Sequence, residues 1–339
     1  MDSHQYELQF SEVLRAVGLP LVAALLVGGL VRLGVAAGMF PPPRPMLDVD
    51  RTVIIRQADA SREETPMAAL LLGDSSCLMD VDTPLLAERM GGEVLNLGTL
   101  SYLNLEAFST LLKNHLAATE TPPHKVVMLV HPDFVWKDSS SPAHLAALDH
   151  YLSGNDHFYG VDKALNLRKV LGVHLVEGRL IGRLPRPLYG RFGEKYGFTT
   201  DMYRYMENHN GSVLDPRILK PDDLKGSSDY RVAAAHERGV FVFANAVPTT
   251  TALYIGLTPL PESFPKGDFS RTYQKVLAEL VKKFLGAIPL SGLPPTLPDD
   301  QFATKTHLKP EARGAFTERL YEQLILDDKV DRGKGPLGL

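Results

Sequence analysis

LLLGDSSCL, residues Leu70 to Leu78, joins an unbroken apolar run to a small polar turn. A short continuous apolar run ending in glycine is the pattern of a strand buried on both faces and feeding a loop. A strand is therefore expected over Ala68 to Leu72, with Gly73-Asp74-Ser75 at its exit. A serine placed there presents its hydroxyl above the carboxyl ends of parallel strands, where ligands sit in open α/β sheets. Asp74, Ser75 and Ser76 also suit a helix start, so a capping serine is the structural alternative and Ser76 the alternative hydroxyl. The turn is not the G-x-S-x-G elbow of other hydrolases.

The flanking sequence repeats the pattern. Thr83 to Met90 reads as helix, Val94 to Leu97 as a second strand ending in Asn96-Leu97-Gly98, and Leu105 to Ala118 as helix. Lys125 to Val130 (KVVMLV) is a β-branched apolar run, the clearest strand in the chain. Strand and helix alternating at this spacing indicate a parallel sheet covered by helices, an α/β fold. From Lys137 to about Asp223 the periodicity weakens, as in an insertion over one edge of the sheet. Arg179, Arg183, Arg186, Arg191 and Lys195 make that stretch locally basic, which suits a solvated face, an anionic ligand or a membrane surface. Order returns with an expected helix over Asp229 to Arg238, a strand over Val240 to Val247, and an amphipathic helix over Phe269 to Leu285 capped by Asp268. A proline-rich loop spans Pro289 to Pro298, a last helix Pro310 to Leu326, and a polar tail Lys329 to Leu339.

At the amino terminus, Ala16 to Val31 carries no charge, and the apolar run resumes after Arg32 to end at Phe40. A membrane span needs roughly 20 residues at about 1.5 Å rise each, so residues 16–40 suffice if Arg32 snorkels. The acidic leader, with Asp2, Glu7 and Glu12, lacks the basic start of a signal peptide. The arginines on the two sides do not fix orientation. The expected organisation is a short tail at 1–15, a transmembrane anchor at 16–40, a linker leading into the domain at 41–66, an α/β domain at 67–328 with an irregular insertion about 137–228, and a flexible tail at 329–339.

Composition narrows the function classes. With 44% hydrophobic and 22% charged residues over 339 positions, the chain is neither disordered nor collagen-like. Lys and Arg number 36 against 40 Asp and Glu, so an overall basic footprint for nucleic acid is missing. The lone Cys77 cannot form an intrachain disulfide and reads as a small buried residue. Neither a metal-ligand cluster motif nor a glycine-rich phosphate loop occurs, and no cofactor is expected.

Chemistry concentrates at strand ends. Gly98 allows close backbone approach, and its amide is a candidate oxyanion donor beside that of Ser75. The third strand ends in His131-Pro132-Asp133, where His131 can line a pocket. Thr304-Lys305-Thr306-His307-Leu308 precedes the last helix, and His307 there can return to the sheet edge to take a serine proton.

These blocks resemble the SGNH hydrolase superfamily, the GDSL esterases and lipases, over about Ala68 to Val135 and Val240 to Leu326. LLLGDSSC looks like the first block, LNLGTLS (Leu95 to Ser101) like the second, and THLKPEARGAFTERL (Thr306 to Leu320) like the last. The resemblance implies a flavodoxin-like three-layer α/β/α sandwich, with Ser75 as nucleophile, Gly98 as oxyanion donor and His307 as general base. Two positions depart from the pattern. The family's oxyanion asparagine aligns with Asp133, and a carboxylate cannot donate to an oxyanion. The string Gly154-Asn155-Asp156 offers an asparagine but follows no strand. The family's carboxylate three residues before the histidine is Thr304 here, which leaves Asp300, Thr304 itself or a backbone carbonyl to orient His307.

Some anchored members of this superfamily handle O-acyl groups on exported polysaccharides, or D-alanyl groups on teichoic acids, beside a multispanning membrane O-acyltransferase. The function implied is an acyl ester hydrolase or O-acyltransferase acting through a serine acyl-enzyme on an O-acylated cell-envelope polymer. It implies a single-pass anchor in the lipid bilayer and a domain on the periplasmic or extracellular side. The competing classes are a non-catalytic accessory subunit of a polysaccharide-modification complex, favoured by Asp133 and Thr304, and a soluble cytoplasmic esterase.

Overall fold

The computed structural model describes residues 12, 14–37, 39, 49–136, 140–153, 199–225, 236–265, 269–284 and 286–333. A π-helical turn, Leu14–Gly18, runs into helix α1, Leu19–Ala36. Then come α2 (Val49–Ala60), β1 (Ala69–Gly73), α3 (Ser75–Asp80), α4 (Thr83–Met90), β2 (Val94–Asn96), α5 (Leu105–Ala118) and β3 (Lys125–Val130). Four α-helices, α6 (Pro132–Trp136), α7 (Pro142–Leu152), α8 (Thr199–Asn208) and α9 (Glu237–Ala244), and a 3-10 turn, Pro221–Leu224, lie between β3 and β4 (Ala252–Leu257) among the described residues. The chain continues through β5 (Leu260–Pro261), α10 (Phe269–Lys283), β6 (Ile288–Pro289), β7 (Thr296–Leu297), β8 (Phe302–Thr304), β9 (His307–Leu308) and α11 (Pro310–Gly333).

The central sheet is parallel throughout, in the order β2-β1-β3-β4-β6. Alternate residues of its strands point to opposite faces. Leu70 and Leu72 of β1 enter a core with Val126, Met128, Phe108 and Phe243, under α5, α9 and α10. Leu71 enters a second core with Val127, Leu129, Phe316 and Leu320, under α11. That two-sided burial is why β1 and β3 read as unbroken apolar runs rather than alternating ones. The parallel arrangement brings the carboxyl ends of β1, β2, β3 and β4 to one edge.

Gly73 closes β1 where backbone packing is tightest. A Cβ there would lie 1.8 Å from the Leu129 carbonyl oxygen and 2.7 Å from Cys77 Cβ. The obstacle is strand backbone, which cannot swing aside. Gly73→Ala is expected to cost more than about 3 kcal/mol of stability, measured as the shift of a chemical denaturation midpoint at unchanged slope.

Several expectations change. Val240 to Val247 is not a strand: Val240 and Phe243 are buried at helical spacing in α9, while Phe241 is 71% exposed. Gly239 lets α9 press on α5, since a Cβ there would lie 2.7 Å from Leu105 Cβ. The fourth strand comes later, at Ala252–Leu257. The stretch assigned to a linker holds α2, whose Val53 packs with Leu78, Met202, Met206 and Val213. The last helix runs to Gly333, into the expected tail. Residues 229–235 of the expected helix Asp229 to Arg238, the Asp268 cap, the basic cluster Arg179 to Lys195 and the string Gly154-Asn155-Asp156 lie outside the described residues.

Leu14–Val31 has a mean hydropathy of 2.1 and is 6% buried. It is long and apolar enough to cross a membrane, and it does not pack into the domain as a core helix would.

Candidate active site

Asp74 organises the exit of β1. As N-cap of α3 it accepts from the Ser76 N–H at 3.1 Å and the Ser76 hydroxyl at 2.6 Å. It also accepts from the His131 N–H at the end of β3, at 3.2 and 3.3 Å to its two oxygens. Thr258, just past β4, donates its hydroxyl to Ser76 Oγ at 3.0 Å. Three strand ends are thus tied through two fully buried residues, Asp74 and Ser76. The cap is Asp74 rather than Ser75, and Ser76 is committed to this network. Ser75, at the first helical position, is left half-buried with its hydroxyl turned elsewhere.

That hydroxyl meets His307. The Ser75 Oγ to His307 Nε2 distance is 3.0 Å, across 232 residues of sequence. β8 and β9 form a small antiparallel ribbon that carries the histidine to the sheet edge. Thr304 Oγ1 accepts from the His307 backbone N–H at 3.1 Å, and the Leu308 N–H donates to Asp80 Oδ1 at 2.8 Å. Asp80 ends the helix that Ser75 begins, so one carboxyl ties the histidine strand to the serine helix. Burial pushes the Asp80 carboxyl well above the usual carboxylate range.

The partner of the second imidazole nitrogen is Asp215, whose Oδ2 lies 2.6 Å from His307 Nδ1. Its side chain is wholly buried. Burial raises the Asp215 carboxyl, but hydrogen bonds from Arg217, then from His307, outweigh it and hold the group far below the usual range. Arg217 Nε donates to both carboxylate oxygens at 2.9 and 3.1 Å, and Nη2 adds a third bond. Asp215 lies past a tight turn at Asn210 and Gly211, with φ of 49° and 87°. The turn is pinned to β2 by the Asn96 N–H donating to the Asn210 carbonyl at 2.8 Å, and the Val213 N–H donates to the Leu78 carbonyl at 3.1 Å.

This arrangement displaces both expected orienters of His307. Thr304 bonds the histidine backbone, not its ring. Asp300 sits in a 3-10 turn, Asp299–Gln301, and lines a cavity of about 630 Å³ that also borders Asp215, Ile218 and Ala312. It makes no bond to His307 among the described residues. A buried carboxylate is the stronger partner because it stabilises the imidazolium form, which a threonine hydroxyl does not.

The Gly98 amide is also spent. It donates to Asn96 Oδ1 at 2.8 Å, and Asn96 is itself fixed by donating to the Cys77 carbonyl at 2.9 Å. Gly98 instead provides close packing, since a Cβ there would lie 2.7 Å from the Leu78 nitrogen. His131 is buried, and its Nδ1 accepts from the Asp133 N–H at 3.1 Å in the first turn of α6. Cys77 is fully buried with its thiol turned to Asn96 Oδ1 at 3.6 Å, and burial raises its pKa. Sequence reasoning missed Asp215, Arg217 and Ser101, whose hydroxyl lies 3.4 Å from Ser75 Oγ. No motif marks Asp215-Pro216-Arg217, although Ser101 closes the quoted second block. Among the described residues no group of three or more His, Cys, Asp or Glu side chains converges as metal ligands would.

No protein-family model matches the chain, and neither a curated protein nor a solved structure is significantly similar to it.

Proposed function

We propose that this protein is a membrane-anchored serine acyl-ester hydrolase or O-acyltransferase. The observation that carries the reading is the continuous hydrogen-bonded chain Ser75–His307–Asp215, at 3.0 and 2.6 Å, on the carboxyl edge of a parallel sheet. A half-exposed hydroxyl bonded to an imidazole, itself bonded to a buried carboxylate, is the geometry of an activated nucleophile.

In the proposed reaction Ser75 Oγ attacks an acyl carbonyl carbon. The new C–O bond forms as the Oγ proton passes to His307 Nε2, and the carbonyl pair moves onto oxygen. Asp215, kept ionised by Arg217, orients the ring and stabilises the imidazolium. Collapse breaks the bond to the leaving alkoxide, which takes the proton from Nε2. Water or a sugar hydroxyl then attacks the acyl-enzyme by the same steps in reverse, so hydrolysis and transfer differ only in the acceptor.

The strand order, two-one-three-four-five counting only the sheet strands, is that of flavodoxin-like doubly wound folds. It supports the SGNH-type reading, together with the three sequence blocks. The apolar Leu14–Val31 helix supports work at a membrane surface; the O-acylated cell-envelope polymer, the periplasmic or extracellular side and the neighbouring multispanning O-acyltransferase come from the resemblance of the sequence blocks. A fluorophosphonate serine probe tests the chemistry. The full-length protein is expected to be labelled and its Ser75→Ala variant not. A wild type that resists the probe and turns over no acyl ester would overturn the reading in favour of a non-catalytic accessory subunit.

A further inference from the structure

The proposed acyl transfer develops a negative charge on the carbonyl oxygen, and of the two amides expected from sequence to meet it, Gly98 and Ser75, the first is already committed. The Gly98 N–H points inward to Asn96 Oδ1 at 2.8 Å. The resemblance aligns Asp133 with the family's asparagine, and a carboxylate oxygen offers no amide hydrogen to donate. A second donor must come from elsewhere at this edge.

We infer that Ser101 is a catalytic residue that supplies a side-chain hydrogen bond to the oxyanion, together with the backbone N–H of Ser75. Ser101 Oγ is 3.4 Å from Ser75 Oγ. The oxyanion forms two bonds from that attacking atom, and an effective donor sits about 2.7–3.1 Å from it. A hydroxyl at this position can therefore swing its hydrogen onto the developing charge. Among the described residues Ser101 Oγ has no hydrogen-bond partner besides Ser75 Oγ, and the Ser75 N–H has no acceptor, so no other group competes for either donor. His307 already takes the Ser75 proton at 3.0 Å, which leaves Ser101 no role as base.

The backbone around Ser101 is held on both sides. The Thr99 N–H donates to the Gly73 carbonyl at 2.8 Å, directly behind the nucleophile turn. The Leu103 N–H donates to the Leu100 carbonyl at 3.1 Å, and the Ser141 N–H to the Tyr102 carbonyl at 2.9 Å. Gln57, fully buried in α2, donates its side-chain amide to the Gly98 carbonyl. A donor fixed before the reaction needs little reorganisation when the charge appears, which makes such a bond effective.

In the balanced step the carbonyl π pair becomes the oxyanion, hydrogen-bonded by Ser101 Oγ–H and Ser75 N–H. Both protons stay on their own atoms. When the intermediate collapses the pair re-forms the C=O bond and the leaving oxygen takes the proton from His307.

The inference rests on the acyl-enzyme reading, and one experiment separates them. Steady-state turnover of an acyl ester is measured on full-length wild type, S101A and S101T, with the affinity of each for a boronic acid that mimics the tetrahedral intermediate. S101A is expected to lose roughly 10²-fold in kcat with KM little changed, and to lose boronate affinity in parallel. S101T, which keeps the hydroxyl, is expected to retain most of both. The pH midpoint of kcat/KM is expected to stay in place, because the Ser75–His307 pair is untouched. Wild-type turnover with an unimpaired S101A overturns the assignment alone. So does a loss of kcat that leaves boronate affinity intact or moves the pH midpoint, since either marks Ser101 as merely positioning Ser75. A wild type without turnover overturns the acyl-enzyme reading and the inference with it. Should S101A fail to fold, S101T is compared with S101C, whose thiol is a weak donor; equal kcat and boronate affinity in the two overturn the inference.

Discussion

Full-length protein carrying Ser75→Ala or His307→Ala is expected to lose on the order of 10⁶ in kcat on acyl esters. In the proposed mechanism, removing Ser75 Oγ removes the atom that bonds the acyl carbon. Removing His307 leaves the hydroxyl protonated and its nucleophilicity that of an ordinary alcohol. The two groups act as one unit joined by the 3.0 Å bond, so the double variant is expected to be no worse than either single one. Ser76→Ala is the informative control. Its hydroxyl bonds Asp74 at 2.6 Å and serves the strand ends, so its loss should cost stability while leaving the nucleophile in place. Burst kinetics with a chromogenic ester reads the nucleophile, and a denaturation midpoint on the same samples reads the stability.

The second large effect belongs to a residue outside the recognised blocks. Asp215→Asn is expected to lower kcat by about 10⁴, because an amide cannot stabilise the imidazolium and permits the wrong tautomer. It also leaves the Arg217 guanidinium without its carboxylate partner. Asp300→Ala is expected to leave kcat near wild type, since Asp300 lines the neighbouring cavity rather than touching the imidazole. Thr304→Ala removes one bond to the His307 backbone, and about tenfold or less follows from the worth of such a bond. A ranking with Asp300 or Thr304 above Asp215, read from kcat on the three purified variants, would reject Asp215 as the orienter.

The parts of the fold legible in sequence were those where local pattern and burial agree. Leu70 to Leu72 and Lys125 to Val130 read as strands because both faces of each are buried, which leaves no alternation to confuse the period. Leu105–Ala118 matched its helix end to end, with Asn104 accepting from the Ala107 N–H as its cap. Val240 to Val247 failed because a short apolar run does not by itself distinguish a strand from the buried face of a helix. There the helix packs closely on Leu105 through Gly239, a contact between segments more than a hundred residues apart that the local sequence does not announce.

The same division runs through the site. Ser75 and His307 each sit next to a signal that sequence carries, a strand end or a helix start. Asp215 lies 92 residues before its histidine, in a stretch with no periodicity. Its place depends on the Asn210–Gly211 turn being pinned to β2, which only the folded chain reveals. Gly98 shows the converse. The residue type fitted an oxyanion loop, yet the Asn96 side chain two positions earlier takes its amide.

The central claim is that Ser75 becomes covalently acylated in a reaction that needs His307. Peptide mass spectrometry of full-length protein treated with a fluorophosphonate measures it most directly. The account predicts a single adduct on the peptide containing Gly73-Asp74-Ser75-Ser76, fragmenting to Ser75, and no adduct in His307→Ala. An adduct on Ser76 or Ser101, or equal labelling without His307, would contradict it.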